Sequence, residues 1–226
     1  MYTLYIGNKN YSSWSLRPWL LLTELGVEFV ERLMAFDDGG SWQKFREFSP
    51  TGQVPCLRDG DQTIWESLGI IEYLAERHPG VWPDDGDARA WARSASAEMH
   101  AGFTALRTLC PMTVAVRIQL HEQPAALEKD LARLAELWNE GLERFGGAFL
   151  AGSAFSAVDA FYAPVVFRLQ TYGFTLAGAA RGYASRMLKL AGMQSWQADA
   201  LVEPWREAGH EREIAALGEC LEDLRR

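Results

Sequence analysis

The sequence predicts a protein of two parts, an α/β domain followed by an all-α domain. In residues 1–80, short runs of alternating apolar and polar side chains are interleaved with helical patterns. Residues 79–87 (PGVWPDDGD) are rich in Pro, Gly and Asp, a composition typical of linkers. From residue 88 to residue 226, apolar residues recur mostly at steps of three or four. We therefore predict domains at 1–80 and 88–226, joined by a linker at 81–87.

The first domain is predicted to have the element order β-α-β-α-β-β-α. Ser15 and Ser67 directly precede helical patterns and are the predicted N-caps of two helices. Asp59-Gly60-Asp61 separates two runs that favour strands, so it predicts a hairpin. The order of the strands within the sheet does not follow from the periodicity. The predicted segments, in chain order, are 2–6, 16–25, 27–33, 42–48, 54–58, 63–65 and 67–77.

The second domain is predicted to be helical throughout. One helix spans 88–109 and ends near Pro111. A regular apolar stripe predicts an amphipathic helix from Leu127 to Phe145. Ser156 and Asp159 have the spacing of a capping box at the start of an apolar, central helix, and we interpret this pair as structural. Shorter helices are predicted at 180–190, 195–208 and 211–224.

Composition excludes several classes of function. The chain has 226 residues and a formal net charge of −8, which both parts share, so it lacks the basic surface that nucleic acids require. The three cysteines are far apart and form no Cys-x-x-Cys motif, which is typical of a reducing compartment. The N-terminal residues do not resemble a signal peptide, and no apolar run is long enough to span a membrane. We therefore expect a cytoplasmic protein with no nucleic-acid or membrane partner.

Metal chemistry and phosphate loops are also not expected. The four histidines lie far from one another and from any pair of cysteines, so we predict no metal site. Residues 147–153 have the glycine spacing of a phosphate loop but place Ser153 where lysine is needed. The nine tryptophans are distributed over both domains, with Trp65 and Trp138 predicted in the core.

Three features of the first domain suggest a binding site. The loop Tyr11–Pro18 (YSSWSLRP) places hydroxyls at a helix N-terminus, where anions are favoured, although the serines could serve only as caps. Val54-Pro55 opens a strand; a cis bond there would turn the Val54 backbone outward, but base rates favour an ordinary trans proline. Glu66-Ser67 lies at a strand-to-helix junction. Glu66 and the helix start at Ser67 suit the amine and the carboxylate of an α-amino acid. The alternative is that Ser67 is only a helix cap and Glu66 a solvated acid.

Together these features resemble the glutathione transferase family. The resemblance covers nearly the whole chain and is strongest in residues 2–25, 52–57 and 65–74, with a further match in the S-x-x-D box at 156–159. It implies a thioredoxin-like first domain that binds glutathione as co-substrate, a helical second domain, a homodimer and no metal. It implies that Val54 binds the cysteinyl part through its backbone, with Pro55 cis. Glu66 and Ser67 would bind the γ-glutamyl end, and Gln53 the glycyl end.

The resemblance also suggests the catalytic group. The serine loop resembles the S-S-C-S of the zeta class and, more loosely, theta-like classes, so Ser12 would activate the thiol, with Ser13 second and Tyr5 and Tyr11 as lesser alternatives. A hydroxyl that donates to sulfur lowers the thiol pKa, and one such bond supplies much of the about 2.7 kcal/mol that a two-unit shift requires. Trp14 stands where the zeta class has cysteine, which weakens an assignment as maleylacetoacetate isomerase.

The resemblance implies a substrate pocket on the second domain and one reaction among several. Transfer of glutathione to a small hydrophobic electrophile is the leading interpretation. The alternatives are a glutathione-dependent isomerase like maleylacetoacetate isomerase, a glutathione peroxidase or disulfide reductase, and a binding protein without turnover. The candidate pocket residues are Trp14, Phe103, Thr104, Arg107 and Met112.

Overall fold

The computed structural model describes residues 1–226 and shows an α/β domain followed by a mainly helical domain. The first domain has the predicted order of elements. These are β1 (Tyr2–Ile6), α1 (Ser13–Glu24), β2 (Phe29–Leu33), α2 (Trp42–Phe45), β3 (Cys56–Asp59), β4 (Gln62–Trp65) and α3 (Ser67–Ala75).

The strands form one four-stranded sheet in the order β2-β1-β3-β4. Strand β1 pairs in parallel with β2 and antiparallel with β3, and β3 pairs antiparallel with β4 through the predicted hairpin. This mixed topology puts the carboxyl end of β1 in the middle of the sheet, so the loop that follows β1 opens directly onto the start of α1. It is the topology of a thioredoxin-like domain.

The second domain contains seven helices and two short strands. In chain order they are α4 (Gly86–Ala101), α5 (Thr104–Leu109), β5 (Val116–Leu120), α6 (Ala125–Phe145), α7 (Ala157–Thr171), α8 (Ala179–Met187), α9 (Ala191–Val202), α10 (Ala208–Leu217) and β6 (Gly218–Asp223). None of these helices, nor those of the first domain, is both long and apolar enough to cross a membrane.

One hydrophobic core runs through both domains. Helix α1 packs against α7, and the apolar side chains of α1 and α7 belong to a single buried cluster. The predicted linker is part of this contact: Val81 and Trp82 are buried, and the Val81 carbonyl accepts the Ala157 N–H at 2.8 Å. These contacts hold the two domains in a fixed arrangement, so residues 81–87 do not act as a flexible linker.

The predicted helix at 88–109 is interrupted. Phe103 has a φ of 51°, a left-handed conformation that ends α4 and starts α5 in a new direction. The Leu106 N–H at the start of α5 donates to the Asp130 carboxylate on α6 at 2.9 Å. Tertiary contacts therefore decide this break, and Phe103 turns into the core, where it packs edge-on against Tyr162.

The second domain also contains a small sheet that periodicity did not predict. Strand β6 takes the end of the segment predicted as a helix at 211–224 and pairs antiparallel with β5. The Leu224 N–H continues the contact by donating to the Ala115 carbonyl at 2.8 Å. The pairing satisfies backbone groups that lie about 100 residues apart in sequence, which a local pattern does not report.

The capping box at α7 is present as predicted. The backbone N–H of Ser156 donates to the Asp159 carboxylate at 3.0 Å, and the Ser156 side chain accepts from the backbone of Asp159. Trp138 is fully buried as expected, whereas Trp65 is 44% exposed and is not a core residue. Trp65 is the last residue of β4, an edge strand of the sheet.

Candidate active site

A cleft of about 970 Å³ lies between the two domains. Its first wall comes from the loop after β1, the loop before β3 and the N-terminus of α3, and its second wall comes from α4, α5, α7 and α10. The predicted site residues that line it are Ser12, Ser13, Trp14, Gln53, Val54, Pro55, Glu66, Arg107 and Met112.

Ser12 lies immediately before α1, which begins at Ser13 and not after Ser15 as predicted. The reason is a hydrogen-bond chain: the Gly7 N–H donates to the Ser15 hydroxyl at 3.1 Å, and the Ser12 and Ser15 oxygens are 2.7 Å apart. Ser15 thus links the first turn of α1 to the residue after β1 and is not the N-cap of α1. Neither Trp14 nor Ser15 uses its backbone N–H within the chain, so two donors remain at this helix end.

The other candidate hydroxyls differ in what they contact. Ser13 is half-buried and its hydroxyl makes no hydrogen bond within the chain. Tyr11 lines the cleft, but its hydroxyl donates to Glu211, and burial raises the pKa of Tyr11 to about 12. Tyr5 stacks on Phe48 at 4.3 Å and does not line the cleft. The geometry therefore places the two serines, and not Tyr5, beside the empty volume of the cleft.

The Val54-Pro55 peptide bond is cis, contrary to the expectation from base rates and as the family resemblance implied. Gln53, Val54 and Pro55 all line the cleft. Neither the N–H nor the C=O of Val54 makes a hydrogen bond within the chain. These groups have the donor and acceptor that an extended peptide needs for strand-like pairing.

Helix α3 begins one residue earlier than predicted, so that Glu66 and not Ser67 is its N-cap. Glu66 is the N-cap of α3, with a φ of 64° that is rare for a residue with a side chain, and Ser67 is the first helical residue. Ser67 is fully buried, and its hydroxyl accepts a hydrogen bond of 3.4 Å from Arg17, so it does not line the cleft. The carboxylate of Glu66 is half-exposed at the cleft wall. The first N–H groups of α3 have no acceptor within the chain, as anion binding at a helix end requires.

The second wall only partly follows the prediction. Trp14, Arg107 and Met112 line the cleft, whereas Phe103 is buried in the core and Thr104 is exposed outside the cleft. The family resemblance suggested Phe103 and Thr104 as pocket residues on a helix predicted to be continuous, but that helix is broken at Phe103.

Several residues at the cleft were not predicted. Arg17 and Arg168 lie within the apolar helices α1 and α7, and a charged residue inside an apolar run was the signal available for them. His210, on α10, stacks on Tyr11 at 4.8 Å between ring centroids. Trp42 also lines the cleft, so Trp14 is not the only tryptophan there.

His100 on α4 completes the second wall. Its ring packs edge-on against Trp14 at 5.2 Å between centroids, and its Nε2 lies 4.0 Å from the Glu66 carboxylate. Burial, together with the charges of Arg17 and Arg107, lowers the pKa of His100, although Glu66 opposes this. These causes favour the neutral form of the imidazole.

Two family models match the chain. The model described as the N-terminal domain of glutathione S-transferase matches residues 11–77, and the C-terminal domain model matches residues 117–212. Together they account for more than half of the chain. The chain belongs to the glutathione S-transferase family.

The chain is also similar to individual known proteins. Maleylacetoacetate isomerase of Rattus norvegicus is 27% identical over 177 residues, which cover 77% of this chain and 81% of the relative. Dichloromethane dehalogenase of Methylophilus leisingeri is 46% identical, but only over 59 residues, or 25% of this chain and 22% of the relative. A glutathione transferase homolog from Burkholderia, solved with bound glutathione, has a TM-score of 0.66 and 24% identity, covering 88% of this chain and 97% of that structure. The similarity to this solved structure supports the fold described above.

Proposed function

We propose that this protein is a glutathione transferase that binds glutathione along the first wall of the cleft and activates its thiol at Ser12. The observation that carries the proposal is that the unpaired Val54 backbone and a serine at the N-terminus of α1 line the same cleft. Val54 would pair with the cysteinyl residue of glutathione, and its sulfur would then lie toward the serine loop. Proteins that recognise extended peptides commonly use such unpaired backbone groups.

The two ends of glutathione have separate partners in this proposal. Glu66 would pair with the γ-glutamyl ammonium, and the free N–H groups at the start of α3, beginning with Ser67, would bind the adjacent carboxylate. Ser67 acts here through its backbone, because its side chain is buried against Arg17. Gln53, at the rim of the cleft, would contact the glycyl end.

Thiol activation uses the hydrogen-bond chain behind Ser12. In the structure Ser12 donates to Ser15, but both hydroxyls are free rotors, so the direction of this bond can reverse. With the Gly7 N–H donating to Ser15 and Ser15 donating to Ser12, the Ser12 hydroxyl is left to donate to a thiolate. A bond to a charged acceptor is worth about 1.5–3 kcal/mol, which lowers the thiol pKa by about one to two units. The thiolate then attacks the carbon of an electrophile held by the second wall.

The experiment compares Ser12→Ala and Ser13→Ala with wild type, using the ultraviolet absorbance of the thiolate to titrate bound glutathione. We expect Ser12→Ala to raise the pKa of the bound thiol by about one to two units and Ser13→Ala to change it less. Ser153→Ala, in an exposed loop, is the matched control. Absence of glutathione binding in wild type would refute the proposal, and a larger effect of Ser13→Ala would move the activating role to Ser13.

A second candidate is glutathione-dependent isomerisation, which the relatives named maleylacetoacetate isomerase favour because they align over most of this chain. The activated thiolate would be the same in both reactions, so a substrate screen separates them: transfer consumes glutathione and isomerisation regenerates it. A cytoplasmic location and a homodimer are part of the proposal, and sedimentation equilibrium would test the dimer.

A further inference from the structure

Three arginines from three helices line the cleft without any carboxylate partner, one from the first domain and two from the second. They are Arg17 on α1, Arg107 on α5 and Arg168 on α7. None of them forms a salt bridge within 4.0 Å, although other arginines of the chain do, namely Arg77, Arg93, Arg133 and Arg225. Buried charges in proteins are normally paired, because desolvation of an unpaired charge is costly. The cluster therefore lacks its counter-charge within the chain.

Arg17 is the most deeply placed of the three. Its side chain is 2% exposed, its only hydrogen bond is the long one to Ser67, and its Nε has no partner at all. The guanidinium stacks on Trp14, with Cζ 4.1 Å from the ring centroid. Desolvation, with Arg168 and Arg107 adding their positive charge, holds the pKa of Arg17 well below its usual range.

Arg107 and Arg168 are held in place by carbonyl oxygens that leave part of each guanidinium free. Arg107 uses only Nη1, which donates to the carbonyls of His100 and Gly102, and its Cζ lies 5.2 Å from the Trp14 ring. Arg168 uses only Nε, which donates to the Cys110 carbonyl at 2.7 Å. Each therefore keeps two nitrogens available for another acceptor, in the fork that fits a carboxylate.

The acidic residues around the cleft do not neutralise this cluster. Asp37 is paired with Lys44 at 3.3 Å, and Glu207 contacts His210 at 2.6 Å. Glu213 and Glu66 also line the cleft, but both lie beyond salt-bridge distance of the three arginines. The anion that completes the cluster must come from a ligand.

We propose that Arg17, Arg107 and Arg168 bind the carboxylate of the second substrate, so that the electrophile is a small organic acid and not a neutral apolar compound. This inference rests on the proposed function and names its substrate class. Glutathione does not account for the cluster, because its two carboxylates are assigned to the first wall, whereas Arg107 and Arg168 belong to the second domain. Trp14, between Arg17 and Arg107, would pack against the carbon chain that joins the carboxylate to the reacting carbon.

The test uses two S-substituted glutathiones, one with two free carboxylates and one in which the same two carboxylates are methyl esters. Addition of the glutathione sulfur to one double-bond carbon of fumarate, with a proton taken up by the other carbon, gives S-(1,2-dicarboxyethyl)glutathione, and dimethyl fumarate gives its diester. We expect wild type to bind the diacid at least about tenfold more tightly than the diester in calorimetric titrations, as charge-assisted hydrogen bonds predict. Arg107→Gln and Arg168→Gln should each reduce this ratio by about tenfold.

The controls separate this inference from the proposed function. Arg181→Gln removes an exposed arginine of α8 and should leave the ratio unchanged. If Arg168→Gln does not fold, Arg107→Gln alone decides the outcome. If wild type binds glutathione but has equal affinities for the diacid and the diester, the anion site is overturned and the proposed function remains intact. Failure of wild type to bind glutathione overturns the proposed function itself.

Discussion

Ser15 lies behind the candidate catalytic hydroxyl and is fully buried, yet it controls the direction in which Ser12 can donate. We predict that Ser15→Ala raises the pKa of bound glutathione by about half to one unit, because one neutral hydrogen bond in the chain is lost. The effect should be smaller than that of Ser12→Ala and should leave the Kd of glutathione unchanged at a pH low enough to keep the bound thiol protonated. Thiolate absorbance gives the pKa, and tryptophan quenching gives the Kd.

The matched control for Ser15 is Ser96, another fully buried serine whose hydroxyl has no partner. Ser96→Ala should not change the pKa of the bound thiol. An equal change in both variants would show that general loosening of the structure, and not the hydroxyl chain, produces the effect.

Glu66 combines an unfavourable backbone with a side chain proposed to bind glutathione. Its φ of 64° costs about 1–3 kcal/mol for a residue with a Cβ, whereas glycine adopts it freely. We predict that Glu66→Gly is more stable than Glu66→Ala by about 1 kcal/mol in urea unfolding. Both variants should bind glutathione more weakly, because both lack the carboxylate. Glutathione binding at the wild-type Kd in both variants would contradict the role of Glu66.

The candidate site could be predicted where its residues are neighbours in sequence. Ser12 and Ser13, Val54 and Pro55, and Glu66 each belong to a short motif, and all five line the cleft. The arginine cluster could not be predicted, because it depends on how α1, α5 and α7 meet in space.

At the scale of single elements, the capping box of α7 joins this helix to neighbouring segments of the second domain. The Asp159 carboxylate accepts from the N–H groups of Leu150 and Ser156 and from the Tyr183 hydroxyl, each at 3.0 Å. Burial nevertheless raises the pKa of Asp159 to about 6, against 3.8 for the free side chain. We predict that Asp159→Asn destabilises the fold by about 2–4 kcal/mol near pH 4, because an amide nitrogen would face these donors.

The destabilisation caused by Asp159→Asn depends on pH, and the pKa shift of Asp159 determines the direction of that dependence. Because the pKa of Asp159 is higher in the folded state, the folded protein binds this proton more tightly, and the resulting stability is lost as pH rises through about 6. The difference in unfolding free energy between wild type and Asp159→Asn should therefore shrink between pH 4 and pH 7. Asp84→Asn, at an exposed position, is the control. A difference that grows with pH would show that the carboxylate is stabilised mainly in its charged form.

Elements were predictable to the extent that local pattern determines them. The alternation in β1 and the apolar stripe of α6 are local, and both elements form where expected. The break at Phe103 depends on α6, and strand β6 depends on β5, so neither has a signal in its own window. The start of α1 was placed too late because Ser15 bonds to Gly7, a contact between elements that a capping pattern cannot reveal.

At the scale of the whole molecule, the C-terminal segment (residues 203–226) lines one side of the cleft and contacts the loop that follows β1. The buried carboxylate of Glu203 accepts the backbone N–H groups of Lys9 and Asn10, at 2.6 and 3.1 Å. Lys9 is itself buried and bridges Glu31 of the first domain and Asp199 of the second, at 2.9 and 2.6 Å. The loop that leads to Ser12 is thus held by residues near the opposite end of the chain.

This arrangement predicts a local effect of Glu203→Ala. The substitution leaves two buried N–H donors without an acceptor, which costs about 2–4 kcal/mol. Because Glu203 joins the loop before Ser12 to the segment that leads into α10, we expect faster amide hydrogen exchange in residues 203–226 and in β5, with the exchange of β1 and α7 unchanged. Hydrogen exchange measured by mass spectrometry resolves these segments.

Glu219→Ala is the matched control, since Glu219 is an exposed residue of β6. It should leave exchange in both regions as in wild type. If Glu203→Ala instead accelerates exchange equally throughout the chain, the carboxylate contributes to global stability, and the C-terminal segment is not a separately released unit. If release is local, α10 with His210 should leave Tyr11, and the second substrate should bind more weakly while the Kd of glutathione changes little, because the proposed glutathione contacts lie on the first wall.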